Sequence, residues 1–417
     1  MKLIIKKDKM MDRIIFSLMA IAVIVLYPSM YYCMNSINVF VFASIIVCVC
    51  FIYVVIKDRV KFQSKVFSFL VVYIMISISY WILRGQNSLN APYYLLFSFV
   101  TLFVFNISLI IKDERRIFIA AYVKVVLIIA VISLFFWFFG STLNLISNHV
   151  SIVFKWGDKY RTVNSYYNIY FEAQGYNREF LGLYIGKKNC AIFAEAPMAA
   201  FVFALGLIFN ICISKISPKV VNTILVITIL STFSTTGVLV LLLISVQFIV
   251  GKDCKTRIGK VTKLFLGIVT ILGVGVLGYT LMAEKLSTLS GVTRIGKIME
   301  ELAVFSQNPL IGEGMGKYSF GSSNSFFALL ADGGIVLWGI YYAPMLYLFY
   351  MALVKKKKFD WFILVYFCVF AVTVVQYYLI SIFMTTFFWA EVLLIERKTK
   401  VNDFDHSTHL QSRTVYK

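Results

Sequence analysis

Long uninterrupted apolar runs limit the fold of this 417-residue sequence more than any other feature. A helix needs roughly 20 consecutive apolar residues to cross the hydrocarbon core of a bilayer, and residues 14–30, 39–56 and 117–139 approach or exceed that length. The runs are continuously apolar, whereas a strand of a transmembrane β-barrel alternates polar and apolar side chains. The composition agrees, because 60% of the residues are hydrophobic and only 14% are charged. The sequence therefore predicts an all-α polytopic transmembrane helix bundle.

Basic residues are concentrated in alternate connections between the apolar runs. If each run crosses the bilayer, 28 of the 40 Lys and Arg residues fall on one side. This asymmetry follows the positive-inside rule, so that side is predicted to be cytoplasmic, and the net charge of +20 reflects topology rather than nucleic-acid binding. The basic segments on this side are 1–13, 57–65, 112–116, 215–219, 252–263, 355–358 and 397–417.

Hydropathy and charge together predict about twelve spans with both termini in the cytoplasm. The predicted spans are 14–33, 37–56, 66–83, 93–111, 117–139, 190–214, 220–232, 236–250, 264–283, 324–354, 361–376 and 379–395. The basic N-terminus has no small-residue cleavage site after it, so we expect a retained first span rather than a signal peptide. We expect residues 1–400 to form one membrane domain and residues 401–417 a disordered cytoplasmic tail.

Two of the predicted helix pairs rest on charge rather than on hydropathy. Residues 220–250 and residues 361–395 are each flanked on both sides by basic segments, so a single crossing would place one of these segments outside. Each stretch is therefore expected to form a short helical hairpin, with its turn at polar residues 231–237 or 376–378. The alternative in each place is one long tilted helix.

Two external loops, residues 140–188 and 284–323, are much longer than the other external connections. Long loops on one face of a helix bundle indicate that this face carries the function. The first loop is rich in Tyr and Asn, which suit sugar rings and hydroxyls but also pack against lipid headgroups. The second is expected to contain a short surface helix and then a Pro-Gly turn at residues 308–316.

The predicted surface helix of the second loop is amphipathic. Arg294, Lys297 and Glu301 share one helical face, and Glu300 adds a further charge. Such a helix lies at the membrane surface with its charged face toward water or an anionic ligand. The alternative is an ordinary interfacial helix with surface ion pairs. The apolar side of the helix consists of Ile295, Ile298, Met299, Leu302 and Phe305.

Glu195 is the most informative charged residue, since it is predicted about one turn into the span 190–214 from the external side. A charge in lipid costs several kcal/mol unless it faces a cavity. With Lys187 and Lys188 just before it, Glu195 suggests a carboxylate near a basic pair at the mouth of a cavity. The alternative is a snorkelling Glu with interfacial lysines. Lys124, inside the span 117–139, could pair with an acid or snorkel in the same way.

The sequence contains no motif that is specific for metal or nucleotide chemistry. Gly312, Gly314 and Gly316 have GxGxG spacing, but no strand precedes them and no Lys-Ser/Thr follows. We expect a tight turn whose backbone can approach a ligand closely. The seven cysteines form no paired external framework, which argues against disulfides and a zinc site. The sequence therefore predicts no metal and no cofactor.

Four segments, taken in order, resemble the O-antigen polymerase and ligase superfamily, the Wzy-type polysaccharide polymerases. A basic residue precedes a Gly-Ile-Phe-x-Glu-Pro-like span at residues 188–197, and a hairpin with a Ser-rich tip follows at residues 231–237. Residues 294–314 are similar to a family motif that consists of an Arg, about a dozen further residues and then Asn-Pro-Leu-x-Gly-x-Gly. Residues 324–334 resemble Asn-Ser-x-x-x-x-Leu-x-Asp/Glu-x-Gly. The resemblance covers residues 185–395.

The resemblance implies polymerisation of polyprenyl-pyrophosphate-linked oligosaccharide repeat units into O-antigen or capsular polysaccharide at the external face of the cytoplasmic membrane. An acceptor hydroxyl would attack the anomeric carbon of a second lipid-linked repeat, and neither a nucleotide sugar nor a metal would be needed. The implied partners are lipid-linked oligosaccharides, membrane lipids, a chain-length regulator and a flippase, with no nucleic acid.

The resemblance also implies roles for individual residues. Arg294 would act at the pyrophosphate, where cationic groups stabilise charge developing on the leaving group. Glu195 would assist the acceptor hydroxyl or orient a cation, with Glu313 and Asp332 as reserve carboxylates. The other residues implied in substrate binding are Lys187, Lys188, Arg161, Arg178, Lys297, Asn324 and Ser234.

Departures from the family pattern leave two alternatives open. Lys188 stands in place of the usual Arg, Thr235 in place of the Arg beside the hairpin Ser, and Ala191 in place of Gly. A residue also intervenes between Glu195 and the following Pro. Ligases usually carry His where this chain has Ser323, so the pattern favours a polymerase over ligase-type transfer. A lipid-linked oligosaccharide flippase or other transporter would favour intramembrane charge, which only Lys124 offers.

Overall fold

Helices dominate the computed structural model. The residues it describes are 2–58, 63–84, 90–147, 150–156, 159–180, 183–214, 219–251, 289–316, 324–354, 361–371, 373 and 377–394. The helices are α1 (Lys2–Val25), α2 (Met30–Met34), α3 (Ser36–Asp58), α4 (Ser64–Arg84), α5 (Asn90–Ile111), α6 (Arg115–Phe135), α7 (Ala196–Phe209), α8 (Lys219–Ser231), α9 (Thr235–Gly251), α10 (Leu289–Gln307), α11 (Ser325–Val354), α12 (Trp361–Ala371) and α13 (Leu379–Leu394). The predicted span 264–283 and the tail 401–417 lie outside the described residues.

Several of these helices are suited to a membrane. Within the described part of the chain, five are long and apolar enough to cross one: Ser36–Lys57, Ser64–Leu83, Tyr94–Ile111, Arg115–Thr142 and Ser325–Met351. The predicted class, a mostly helical membrane protein, is confirmed at this level. The number of spans and the cytoplasmic position of the termini stay predictions. Lys124 is exposed on α6, which favours a snorkelling side chain over a buried ion pair.

Both predicted hairpins are broken into two helices, which rules out a single long helix in either place. α8 ends at Ser231 and α9 begins at Thr235. The turn between them holds Phe233 at a φ of +45°, in the left-handed region. α12 ends at Ala371, and α13 begins at Leu379.

Helix α7 is the centre of the bundle. Its residues from 199 to 209 are all buried, and it packs against α6, α8, α9 and α12. A helix that is apolar all round is stable only when neighbours cover every side. α6 comes close because Gly206 has no side chain, and a Cβ there would lie 2.8 Å from Val126 Cγ1.

One end of the bundle is marked by an ion-pair network. Lys57 Nζ donates to Asp12 at 2.5 Å and to Glu114 at 2.9 Å, and Arg115 donates to Glu391. These residues lie in α1, at the C-terminal end of α3, at the start of α6 and near the end of α13. The predicted cytoplasmic ends of four helices therefore lie together, in agreement with the charge pattern.

A small β layer forms in the first long loop, and the sequence interpretation missed it. β1 (Val150–Trp156), β2 (Lys159–Tyr166) and β3 (Tyr170–Phe171) form one antiparallel sheet. β4 (Gly175–Phe180) and β5 (Leu183–Lys187) form a second. Buried and exposed residues alternate in β2, as is typical of a strand: residues 163 and 165 are buried, and residues 160 and 162 are exposed. The prediction of an all-α chain is therefore incomplete at this loop.

Candidate functional site

Glu195 is the N-cap immediately before α7 and does not lie one turn inside a helix, so that prediction is wrong. Residues 190–194 are buried but not helical, and Glu195 is the N-cap, with an extended backbone at φ −147° and ψ 149°. Pro197 explains the late start, because proline lacks an amide hydrogen and is tolerated only in the first turn of a helix. The carboxylate therefore lies at the positive end of the helix dipole.

The pre-α7 segment, residues 188–195, is hydrogen-bonded to its surroundings. Backbone bonds join Met30 N to Ile192 O at 2.7 Å, Ala194 N to Pro28 O at 3.0 Å and Phe171 N to Ala191 O at 3.0 Å. Backbone hydrogen bonds therefore join the pre-α7 segment to the α1–α2 connection, to the start of α2 and to the β layer. Asp12 lies about 20 Å earlier along α1, so the segment is at the opposite end of the bundle from the ion-pair network.

Ala191 adopts a φ of +51°, a conformation that favours glycine. It is fully buried, so the backbone strain is held in place by packing. A glycine would adopt this conformation without the strain that the Cβ of Ala191 adds.

Asn189 ties the pre-α7 segment to the bundle, and the sequence interpretation gave it no role. Its Nδ2 donates to Ser133 Oγ of α6 at 3.2 Å and to Ser231 Oγ of α8 at 2.9 Å. Its Oδ1 accepts from Ala191 N at 3.1 Å, and its amide donates to Ser231 O at 3.1 Å. The side chain is fully buried, so these bonds are costly to break. In the sequence, a single Asn that follows two lysines gives no indication of such a role.

Arg161, in β2, is paired with Glu195. The guanidinium Nη1 lies 3.3 Å from Glu195 Oε1, and both side chains are partly exposed. The β layer thus delivers a cation to the carboxylate at the start of α7. Arg161 is one of the predicted substrate-binding residues, and the structure brings it into direct contact with Glu195.

Glu172 is a second carboxylate in this region, which the sequence interpretation missed. It accepts from Tyr166 OH at 3.0 Å and from Asn164 Nδ2 at 3.1 Å, and Lys187 Nζ lies 3.9 Å away. Burial, together with this carboxylate, raises the pKa of Tyr166 to about 12. Tyr166 is therefore a neutral donor to Glu172 at physiological pH. Lys187 is placed by Glu172 and not by Glu195.

Lys188 lies over an aromatic stack. Its Nζ is 5.5 Å from the ring centre of Tyr176 in β4, and that ring stacks on Phe233 at 4.4 Å. Ser234, next to Phe233, is buried, and its Oγ has no hydrogen-bond partner among the described residues. The hairpin tip of α8 and α9 therefore meets the β layer below Lys188. The side chain of Arg178 lies outside the described part.

The Gly turn, residues 308–316, docks against a kink in α11 and not against open space. Glu313 N and Gly314 N donate to the carbonyls of residues 331 and 332, both at 2.9 Å. Gly312 and Gly334 make the contact possible: a Cβ on Gly312 would lie 2.5 Å from Ala331 O, and one on Gly334 would lie 2.4 Å from Leu310 C. The backbone of the Gly turn makes a close approach, as predicted, but the group that it approaches is the backbone of α11.

Asp332 joins the Gly turn to two other parts of the bundle. Its carboxylate is fully buried and accepts from Tyr377 OH at 2.7 Å and from Gly316 N at 3.1 Å. Its carbonyl accepts from Tyr80 OH of α4 at 2.6 Å and from Gly314 N at 2.9 Å. These contacts assign Asp332 a structural part in holding the turn.

The other candidates in this stretch also have structural partners. Glu313 accepts from the Asn308 side chain at 3.0 Å. Asn324 caps α11, since its Oδ1 accepts from Phe327 N at 2.8 Å.

Helix α10 confirms the predicted amphipathic helix, and one of the charged residues expected on its outer face, Glu301, lies against the protein instead. Lys297 pairs with Glu300 at 2.8 Å, whereas Glu301 is only 1% exposed and faces the protein. Arg294 is exposed. Of the predicted apolar residues, Ile295, Met299 and Leu302 are exposed at 44, 63 and 37%, as is the neighbouring Val292 at 61%. The contact of this apolar side with a membrane surface stays a prediction.

The turn between α12 and α13 contacts the Gly turn region through Tyr377, which donates to Asp332. Burial raises the pKa of the adjacent Tyr378, with Tyr32, Cys33 and the Glu195 carboxylate adding to the shift. The described contacts of Arg294 do not reach Glu195. The predicted pairing of the second loop with residues 188–195 therefore stays a prediction.

The arrangement offers two carboxylates, a guanidinium and two ammonium groups at one end of a membrane bundle. Such a set can bind an anionic headgroup and move a proton. The described residues contain no group of three or more His, Cys, Asp and Glu side chains placed for a metal ion. No family model, curated protein or solved structure matches the chain.

Proposed function

We propose that the chain is a membrane-embedded glycosyltransferase of the cytoplasmic membrane, which polymerises polyprenyl-pyrophosphate-linked oligosaccharide repeat units at the external face. The observation that carries the proposal is the Arg161–Glu195 pair at the N-terminus of α7, at the bundle end opposite the basic cytoplasmic segments. The motif resemblance of residues 188–197 and 294–334 supports the same reaction.

In the proposed reaction, the hydroxyl of one lipid-linked repeat attacks the anomeric carbon of a second. A new glycosidic C–O bond forms, the C–O bond to the pyrophosphate breaks, and polyprenyl pyrophosphate leaves. Glu195 takes the proton of the attacking hydroxyl as general base. Because the bond to the pyrophosphate is already activated, no further co-reactant enters the balance.

Cationic side chains have a defined task in this reaction. Arg161 orients the Glu195 side chain in the resting site through the contact between its guanidinium and the Glu195 carboxyl group. Lys188 is the first residue of the pre-α7 segment, and its ammonium group stabilises the negative charge that develops on the leaving pyrophosphate. Arg294, on the exposed side of α10, is proposed to reach the same headgroup when substrate is bound.

The test is elongation of purified lipid-linked repeats by the purified protein in liposomes without a membrane potential. Longer glycans on the polyprenyl carrier, detected by gel electrophoresis and mass spectrometry, are the expected product. A flippase would form no glycosidic bond, and a ligase would transfer glycan only to an acceptor without the polyprenyl chain. Either outcome would contradict the proposal.

A further inference from the structure

Gln174 is hydrogen-bonded at both ends of the pre-α7 segment. It lies in the short connection between β3 and β4, directly before β4 begins. Its main-chain carbonyl accepts from Lys188 N at 2.9 Å, and its side-chain Oε1 accepts from Ala196 N at 3.1 Å. Lys188 is the first residue of the segment, and Ala196 is the first residue of α7. One residue of the loop therefore bridges the whole segment that ends in Glu195.

The side chain of Gln174 does the work that an N-cap side chain usually does. An oxygen of the N-cap residue commonly accepts from an amide of the first helical turn. The N-cap of α7 is Glu195, and its carboxyl group makes no such hydrogen bond. The amide of Ala196, a fully buried residue, is bound to Gln174 instead. Since a buried amide without a partner is costly, this bond helps to fix where α7 begins.

The rest of the first turn also leaves the Glu195 carboxyl group out of capping. Pro197 has no amide hydrogen. The next two amides donate to the main-chain carbonyl of Glu195 at 3.1 and 3.2 Å. A carbonyl and the Gln174 side chain thus satisfy the amides of this turn, and the Glu195 carboxyl group lies 3.3 Å from the Arg161 guanidinium.

We propose that Gln174 is a positioning residue for Glu195. By capping α7 in place of the carboxyl group, it leaves that group beside Arg161, where the proposed reaction needs a base. The inference rests on the proposed function, since the reaction gives the position of the carboxyl group its consequence. Lys188 is bonded to the main chain of Gln174, so a change of the Gln174 side chain should act on the rate rather than on substrate binding.

Variants of Gln174 separate the acceptor oxygen from the size of the side chain. Gln174→Met has a similar length but only a weakly accepting sulfur, whereas Gln174→Glu keeps an accepting oxygen. Gln174→Asn is one methylene shorter and withdraws the acceptor without adding an apolar group, so it replaces Gln174→Met if that variant does not fold. The matched control is Gln307→Met, the same substitution at an exposed Gln at the end of α10.

Two measurements on the purified protein test the inference. Hydrogen exchange of the Ala196 amide, followed by mass spectrometry of overlapping peptides, reports the cap without catalysis. Elongation of purified lipid-linked repeats gives kcat and KM. Thermal unfolding close to that of wild type identifies the variants that are folded.

In Gln174→Met, the Ala196 amide should exchange about tenfold faster than in wild type, or more, because its hydrogen bond is lost. The kcat should fall about tenfold, with KM within about twofold of wild type, because the base is displaced while the cationic groups stay in place. Gln174→Glu should keep slow exchange and most of the kcat, and Gln307→Met should match wild type in both.

Wild-type exchange or a wild-type kcat in folded Gln174→Met would overturn the inference. Equal losses in Gln174→Met and Gln174→Glu would overturn it too, because the accepting oxygen would then not matter. A change in KM alone would assign Gln174 to binding and contradict a positioning role. No elongation by wild type, with the difference in exchange intact, would instead contradict the polymerase proposal alone.

Discussion

At the scale of single residues, the position of the pre-α7 segment depends on a buried polar side chain and on a strained backbone conformation. Asn189 satisfies two hydroxyls and two backbone groups from a fully buried position. Ala191 keeps a left-handed backbone beside it. Glu195 is placed by these neighbours rather than by its own contacts alone, since the whole segment is fixed before α7 begins.

Replacing Ala191 by glycine should leave stability nearly unchanged. Relief of the left-handed strain is worth roughly 1 kcal/mol, and the greater freedom of glycine in the unfolded chain costs about 0.5–1 kcal/mol. The same change at the buried helical Ala200 should destabilise the protein by about 1 kcal/mol or more, because nothing offsets the loss of helix propensity. Thermal unfolding in detergent measures both, and equal losses in the two variants would contradict the strain at Ala191.

At the scale of elements, the Gly turn and the kink of α11 act as one interlocked unit. Gly334 has a φ of +58° and interrupts the helical backbone of α11. The freed amides of residues 335 and 336 donate to the carbonyls of residues 309 and 310 at 2.9 and 3.2 Å. The helix therefore regains from the turn the hydrogen bonds that the kink removes.

Gly334→Ala should disrupt this unit. The new Cβ would lie 2.4 Å from backbone atoms of Leu310, and the left-handed φ adds strain, so a loss of roughly 2 kcal/mol or more is expected. Gly339→Ala is the matched control in the same helix, since its Cβ would meet nothing within 4 Å. The control should be neutral or stabilised by up to about 1 kcal/mol. Similar thermal stability of the two variants would argue against the interlock.

The five long helices were predictable from the sequence because each is a long apolar run, and charge located the breaks near residues 232 and 376 between shorter helices, which hydropathy alone would hide. The β layer was missed, since its alternation is short and lies within a Tyr-rich loop. The partners of Asp332 and Asn189 and the burial of Glu301 could not be predicted, because each depends on contacts between segments far apart in the chain. Glu195 stands out in the sequence as a carboxylate close to an apolar run, but its place at a helix start depends on tertiary contacts.

At the scale of the whole molecule, the bundle has two chemically distinct ends. Ion pairs of Lys57 and Arg115 join helix ends that the charge pattern assigns to the cytoplasm. The β layer, the pre-α7 segment and the Gly turn lie at the other end. This polarity is what a site at the external face requires.

Cysteine labelling of intact cells tests the orientation. In a variant without its native cysteines, Ser151→Cys in β1 should react with a membrane-impermeant maleimide, because the side chain is exposed on the predicted external side. Gln63→Cys, also exposed but on the predicted cytoplasmic side, should react only after the cells are permeabilised. The reverse pattern would place the site in the cytoplasm and contradict the account.

The most direct test of the central claim compares Glu195→Gln with wild type in the elongation of purified lipid-linked repeats. The amide keeps the shape of the side chain but cannot take a proton, so the rate should fall by about 100-fold or more, while lipid binding and thermal stability stay near wild type. Glu300→Gln, on the exposed side of α10, is the matched control and should retain its activity. Wild-type elongation by Glu195→Gln would contradict the assignment of the site.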